Sequence, residues 1–111
     1  MTYSEYFASV KQTFAGADVS DITEHLAYQF NITGDAEGIF YVEVKDGKLY
    51  IEPYEYHDRD AIFIGTAELF TKIMTGKKDP VQEFLLHRLK VEGNLDKALK
   101  LKELIERNRK K

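Results

Sequence analysis

The chain has 111 residues, 43% hydrophobic and 32% charged, with no cysteine and a net charge of −3. That size predicts one domain around one core, and the composition excludes an intrinsically disordered chain. The missing cysteine excludes disulfides, thiolate chemistry and cysteine-based zinc sites, and no apolar run approaches the ~18–20 residues of a membrane-spanning helix.

Tyr3, Tyr6, Phe7, Val10 and Phe14 recur at helical spacing and predict an amphipathic helix over about residues 3–15, stopped by Gly16. Ser20 and Asp21 predict a short turn or frayed helix. From Leu26 the pattern changes to alternation. Leu26, Tyr28, Phe30 and Ile32 share one face of a half-buried strand. A second strand carries Phe40, Val42 and Val44, and a third carries Leu49 and Ile51. Asp46-Gly47 between them is the strongest short hairpin signal. Pro53 ends the third strand, and the polar, aromatic stretch to Arg59 connects to another part of the sheet.

Ala61-Ile62-Phe63-Ile64 does not alternate, which predicts a strand buried on both faces. Thr66 caps the next helix, whose inward face is Leu69, Phe70, Ile73 and Met74, and Gly76 stops it. Asp79-Pro80 is a cap followed by the favoured first helical residue, opening a short helix lined by Val81, Phe84 and Leu85. Leu89 and Val91 mark a fifth strand, and Gly93-Asn94 turns into the last helix. There Leu95, Ala98, Leu99, Leu101, Leu104 and Ile105 spread over roughly 200° of arc at ~100° per residue. Burial against one sheet needs about half of that, so the segment from Leu69 to Leu101 carries more apolar surface than the sheet can cover. The surplus points to an apolar partner.

Charge is uneven. The first 86 residues hold 7 Lys/Arg against 15 Asp/Glu, and the last 25 hold 9 against 4. Two readings stand: a solvated helix whose cations suit its C-terminal dipole, or a basic end, Arg107 to Lys111, that meets anionic lipid. Binding of nucleic acid is not expected from the net charge, and Tyr50, Tyr54 and Tyr56 lie among acids where a stacking platform needs cations.

No catalytic residue, metal ligand or cofactor is predicted. His25, His57 and His87 lie far apart in the sequence, outside any zinc spacing. Gly76-Lys77-Lys78 lacks the upstream glycine and the following Ser/Thr of a phosphate loop. An enzyme acting on an apolar substrate would need a polar group at the site's end, for which Thr71, Thr75 and His87 are the places to look. The opening MTYSEYFASVKQTF has no basic segment followed by an apolar run, and Asn108 to Lys111 is no peroxisomal signal, so a cytoplasmic setting is expected.

The order and spacing of these signals resemble the sterol carrier protein family, the nonspecific lipid-transfer domain, from near Phe30 to Leu104. The resemblance rests on Gly38, Phe40, Val42, Val44 and Gly47; on Arg59-Asp60 before Ala61 and Phe63; on Leu69-Phe70, Gly76-Lys77 and Asp79-Pro80. It continues through Phe84, Arg88-Leu89-Lys90-Val91-Glu92-Gly93-Asn94 and Ala98-Leu99-Lys100-Leu101. It implies an α+β fold: a five-stranded, mostly antiparallel sheet packed by an N-terminal helix, with C-terminal helices roofing an apolar tunnel. It also implies binding of fatty acids, acyl chains or sterols without chemistry. A small free-standing domain of this kind looks more like a bacterial cytoplasmic protein. The residues expected to line the tunnel are Phe40, Val42, Phe63, Phe70, Ile73, Phe84, Leu85, Leu89, Leu101, Leu104 and Ile105. The expected partners are a long apolar ligand, transient anionic membrane through the basic C-terminus, and a second copy in a homodimer. The alternative is an accessory module whose apolar face a partner subunit covers, or one that presents an apolar precursor to an enzyme.

Overall fold

The computed structural model describes residues 2–55 and 58–109, with side chains through Arg107. Tyr56, His57 and the last two lysines lie outside the described residues. Among the described residues, four helices and five strands follow one another as α1 Tyr3–Thr13, β1 Leu26–Thr33, β2 Gly38–Lys45, β3 Lys48–Glu52, β4 Ala61–Thr66, α2 Ala67–Met74, α3 Pro80–Leu85, β5 Lys90–Gly93 and α4 Leu95–Arg109. The sheet order is β3-β2-β1-β4-β5. β1 pairs parallel with β4, while the other neighbours are antiparallel. This is the expected α+β, mostly antiparallel arrangement.

Local chemistry sets the boundaries. A capping box opens α1: Glu5 N–H donates to Thr2 Oγ1 at 3.2 Å, and Thr2 N–H donates to Glu5 Oε1 at 3.0 Å. Asp46 and Gly47 both have positive φ, 53° and 73°, as a two-residue hairpin turn requires. Thr66 caps α2, and Asp79 caps α3 with Pro80 in its first turn. Asn94 Oδ1 accepts from Lys97 N–H at 3.1 Å and starts α4. Residues 20–21 form a turn with no helix: Asp18 Oδ1 accepts from the Ser20 N–H and hydroxyl.

All four helices lie against one face of the sheet. On that face three rings stand side by side across three strands, because Phe30 is the cross-strand partner of both Phe40 and Phe63. Phe30 stacks on Phe40 at 4.9 Å and on Phe63 at 5.2 Å, and Phe70 of α2 meets it edge-on at 5.3 Å. Tyr6 and Phe7 of α1 close over Phe40. Tyr3 lies over Gly38, where a Cβ would come within 2.4 Å of its ring. The β1–β2 half of the core is therefore filled by aromatic side chains.

Among the described residues no helix covers the other face, and two expectations change there. Ile62 and Ile64 are half-buried on it, whereas the non-alternating sequence predicted burial on both sides of β4. β1 is more buried than expected: Ala27 and Gln29 are sealed although they point away from the helices. Gln29 lies directly between Tyr41 and Ile62, and Ala27 beside Glu43, so bulky cross-strand neighbours cover these positions. Asp60 ties down the start of β4, its Oδ2 accepting from Ala27 N–H at 2.9 Å and its own N–H donating to Ala27 O at 2.8 Å.

Candidate apolar binding site

The row of rings ends at β5. The partner of Phe63 there is Val91, far smaller than a phenyl ring, and the residue facing this end from α4 is Ala98. The space not filled is a cavity of about 220 Å³. Phe63, Leu89 and Val91 form its floor, Pro80, Val81, Phe84 and Leu85 of α3 one wall, and Leu95, Ala98, Leu99 and Lys102 of α4 the other. Lys102 is the one charged group among the described lining residues.

Helix geometry explains the division of labour on α4. Leu95, Ala98, Leu99 and Lys102 follow i, i+3, i+4, i+7 and make one stripe toward the cavity. Ala98, Leu101, Leu104 and Ile105 make a second stripe, buried in the core. Two stripes sharing Ala98 account for the 200° arc read from the sequence. The surplus is now identifiable. Leu95 and Leu99 are 50% and 53% exposed, and Leu85 across the gap is 68% exposed. Leu86 joins them on the surface.

The structure brings together four of the eleven expected residues: Phe63, Phe84, Leu85 and Leu89 line this cavity. Phe40, Val42, Phe70, Leu101 and Leu104 are packed into the core, and Ile73 and Ile105 are buried beside a separate, more polar groove near Lys78 and Asp79. The hollow thus lies at the β4–β5 end, between α3 and α4. The sequence reading left out Pro80, Val81, Val91, Leu95, Ala98, Leu99 and Lys102. The signal for Leu95, Ala98 and Leu99 was present as the over-wide arc; nothing marked Lys102.

Ion pairs hold the walls. Lys102 Nζ lies 3.0 Å from Asp79 Oδ2 and links α4 to the cap of α3. Lys97 lies 3.4 Å from Asp60, Lys100 pairs with Glu24, and Arg107 pairs with Asp21. These partners hold the Glu24 and Asp21 carboxyls below their ordinary values, chiefly through the hydrogen bonds from Lys100 and Arg107. Burial pushes Asp79 up, but the bonds from Lys102 and Val81 N–H outweigh it and hold it low. Tyr28 adds a neutral tie: its hydroxyl donates to Lys97 O at 2.6 Å. Among the described residues, Lys97, Lys100, Lys102 and Arg107 of α4 are thus paired with acids from the rest of the chain.

At the joint after α3, Glu83 is buried, 4% exposed, with Lys78 at 3.3 Å and Arg88 at 3.4 Å. Its backbone oxygen accepts from Arg88 N–H and Leu89 N–H, turning the chain into the cavity floor. His87 holds this corner in the left-handed region, φ 61°. Thr71 on α2 and Thr75 at its C-terminal cap are exposed, donating to Ala67 O and Thr71 O, and neither reaches the cavity. His25 sits 2.6 Å from Glu43, away from the cavity; His57 is outside the described residues.

The model of the SCP-2 sterol transfer family matches residues 10–106. The chain belongs to the SCP-2 sterol transfer family. This family member is 34% identical over 92 residues to sterol carrier protein 2 of Arabidopsis thaliana, covering 79% of the chain and 74% of that protein. It is 29% identical over 106 residues to hydroxysteroid dehydrogenase-like protein 2 of Rattus norvegicus. That match takes in 90% of the chain but only 20% of the rat protein, so the chain spans about a fifth of the length of that relative. Among solved structures, a ubiquinone synthesis protein, UbiJ-SCP2, superposes with a TM-score of 0.75 over 95% of this chain and 96% of that one at 10% identity, which establishes the shared fold. Among the described residues, no helix of this SCP-2 member is long and apolar enough to cross a membrane.

Proposed function

We propose that the chain is a noncatalytic lipid carrier that holds the alkyl part of its ligand between α3, α4 and the β4–β5 end of the sheet. The observation that carries this reading is the cavity itself, whose lining is apolar except for Lys102, beneath a rim of exposed Leu85, Leu95 and Leu99. Membership of the SCP-2 sterol transfer family supports the same function.

Size narrows the cargo. The cavity, about 220 Å³, is many times the space that one water takes. A fused-ring sterol needs far more room unless α3 and α4 part, so a flexible chain is the better occupant. A longer tail continues over the leucine rim. Each methylene buried there contributes about 0.8 kcal/mol, set against the cost of immobilising the chain. Phe63, Phe84, Leu85 and Leu89 are the contact residues in this proposal.

Native mass spectrometry of the purified protein, before and after delipidation and after re-exposure to fatty acid, tests the reading. A retained or rebindable single-chain lipid is the expected result. A protein that neither retains nor rebinds one contradicts it.

A second reading seats a second copy or partner subunit on the exposed Leu85, Leu86, Leu95 and Leu99. Sedimentation at several concentrations decides between them, since a dimer that hides α4 supports the second. Transient contact with anionic membrane and a cytoplasmic setting remain part of the proposal. Because Lys97, Lys100, Lys102 and Arg107 are already paired, membrane attraction falls to the residues beyond Arg107.

A further inference from the structure

Lys102 stands on the cavity stripe of α4, one turn beyond Ala98 and Leu99, and its side chain is 41% exposed. Its stem adds to the apolar wall while its ammonium reaches the rim, the usual arrangement for an amphipathic side chain. There Asp79 meets it, and Asp79 does two things at once. Oδ1 accepts from Val81 N–H at 2.9 Å and caps α3, while Oδ2 accepts from Lys102 Nζ at 3.0 Å. The pair therefore bridges the two helices that enclose the cavity, and only its cationic partner belongs to the lining.

We infer that Lys102 and Asp79 form a head-group clasp, in which the anionic head of a single-chain amphiphile replaces Asp79 on the Lys102 ammonium while the tail enters the cavity. This inference rests on the carrier reading and adds the polarity and orientation of the ligand. In the exchange one carboxylate contact replaces another, and Asp79, set free, keeps its bond to Val81 N–H but stays as a competing anion beside the head. A cationic head gains no partner on the cavity lining, where the one charged group among the described residues is Lys102. A neutral alcohol gains no charged partner and would have to leave the clasp shut. Glu106, a turn further along α4, is the other carboxylate that acts on Lys102, raising its pKa in the same direction as Asp79. It is exposed, so it opposes an incoming anion only through solvent.

The test compares binding of decanoate and decanol to the full chain at pH 7 by calorimetry. Decanoate should bind more tightly than decanol. Lys102→Met keeps the apolar stem and removes the charge, so it should lower the decanoate-to-decanol affinity ratio by about 3- to 10-fold, the range of one exposed charge-assisted hydrogen bond. Lys102→Arg should restore the ratio. Asp79→Asn keeps a good cap and removes the competing carboxylate, so it should raise decanoate affinity. A ratio that Lys102→Met leaves unchanged overturns the clasp while the carrier reading stands. Failure of the unaltered protein to bind either probe overturns the carrier reading itself.

Discussion

Phe30 is the residue on which most of the interior depends. It touches Phe40, Phe63 and Phe70, and all four are buried. Phe30→Ala should cost about 3–5 kcal/mol of stability, because the rings around it cannot collapse into the gap without leaving their own strands; urea unfolding measures it. His87 presents the opposite case. A non-glycine residue at φ 61° carries backbone strain of about 1 kcal/mol, so His87→Gly should raise the thermal midpoint. A lowered midpoint would mean that the imidazole makes up the difference. Both positions show what a sequence can display. Phe30 was legible as a core residue from alternation alone. The left-handed corner at His87 was not, because no Gly or Asn marks it, and the buried Glu83 beside it looked like any surface acid on a short helix.

At the scale of elements, α4 is the segment whose attachment is conditional. Apolar contact holds Ala98, Leu101, Leu104 and Ile105, while Lys97, Lys100, Lys102 and Arg107 pair with acids elsewhere in the chain. The Asp21, Glu24 and Asp79 carboxyls are held below their ordinary values. Their stabilisation is therefore present above the ordinary carboxylate range, near pH 4 and upward, and is lost as pH falls through the lower folded values. Hydrogen exchange, corrected for the intrinsic rate at each pH, should show α4 losing protection before β1 as pH drops from 5 to 3; equal loss of protection in both segments would argue against it. Tyr28→Phe removes the bond to Lys97 O and should cost about 1 kcal/mol, read by thermal unfolding. The division of charge along the sequence was plain, but its destination was not. Composition cannot say whether a basic helix faces a membrane or its own acidic body; for Lys97, Lys100, Lys102 and Arg107 the body supplies the counter-charges.

For the whole molecule, the governing feature is a core filled with rings on one side and left incomplete on the other. Phe40, Phe30 and Phe63 occupy three strands in register, and Val91 and Ala98 follow where a fourth ring would fit. The elements and their punctuation were readable throughout: Asp46-Gly47, Thr66, Asp79-Pro80 and Asn94 all act where their chemistry indicates. The hollow was readable only as a surplus on the last helix. Core and cavity walls use the same residue types, so alternation and helical spacing could not separate Phe40 from Phe63 or Leu101 from Leu99. Strand register makes that separation, and the sequence does not display register directly.

That contrast gives the most direct test. Ala98→Leu places added methyl groups into a space of about 220 Å³ that nothing else fills. In a closed core such a change strains the packing and costs about 1–3 kcal/mol. In a cavity kept open for a ligand it fills the void. Decanoate binding and urea unfolding should be measured on the unaltered protein and on Ala98→Leu. The account predicts lost or strongly weakened binding together with unchanged or raised stability. Undiminished binding in a stable variant would place the ligand elsewhere and contradict it.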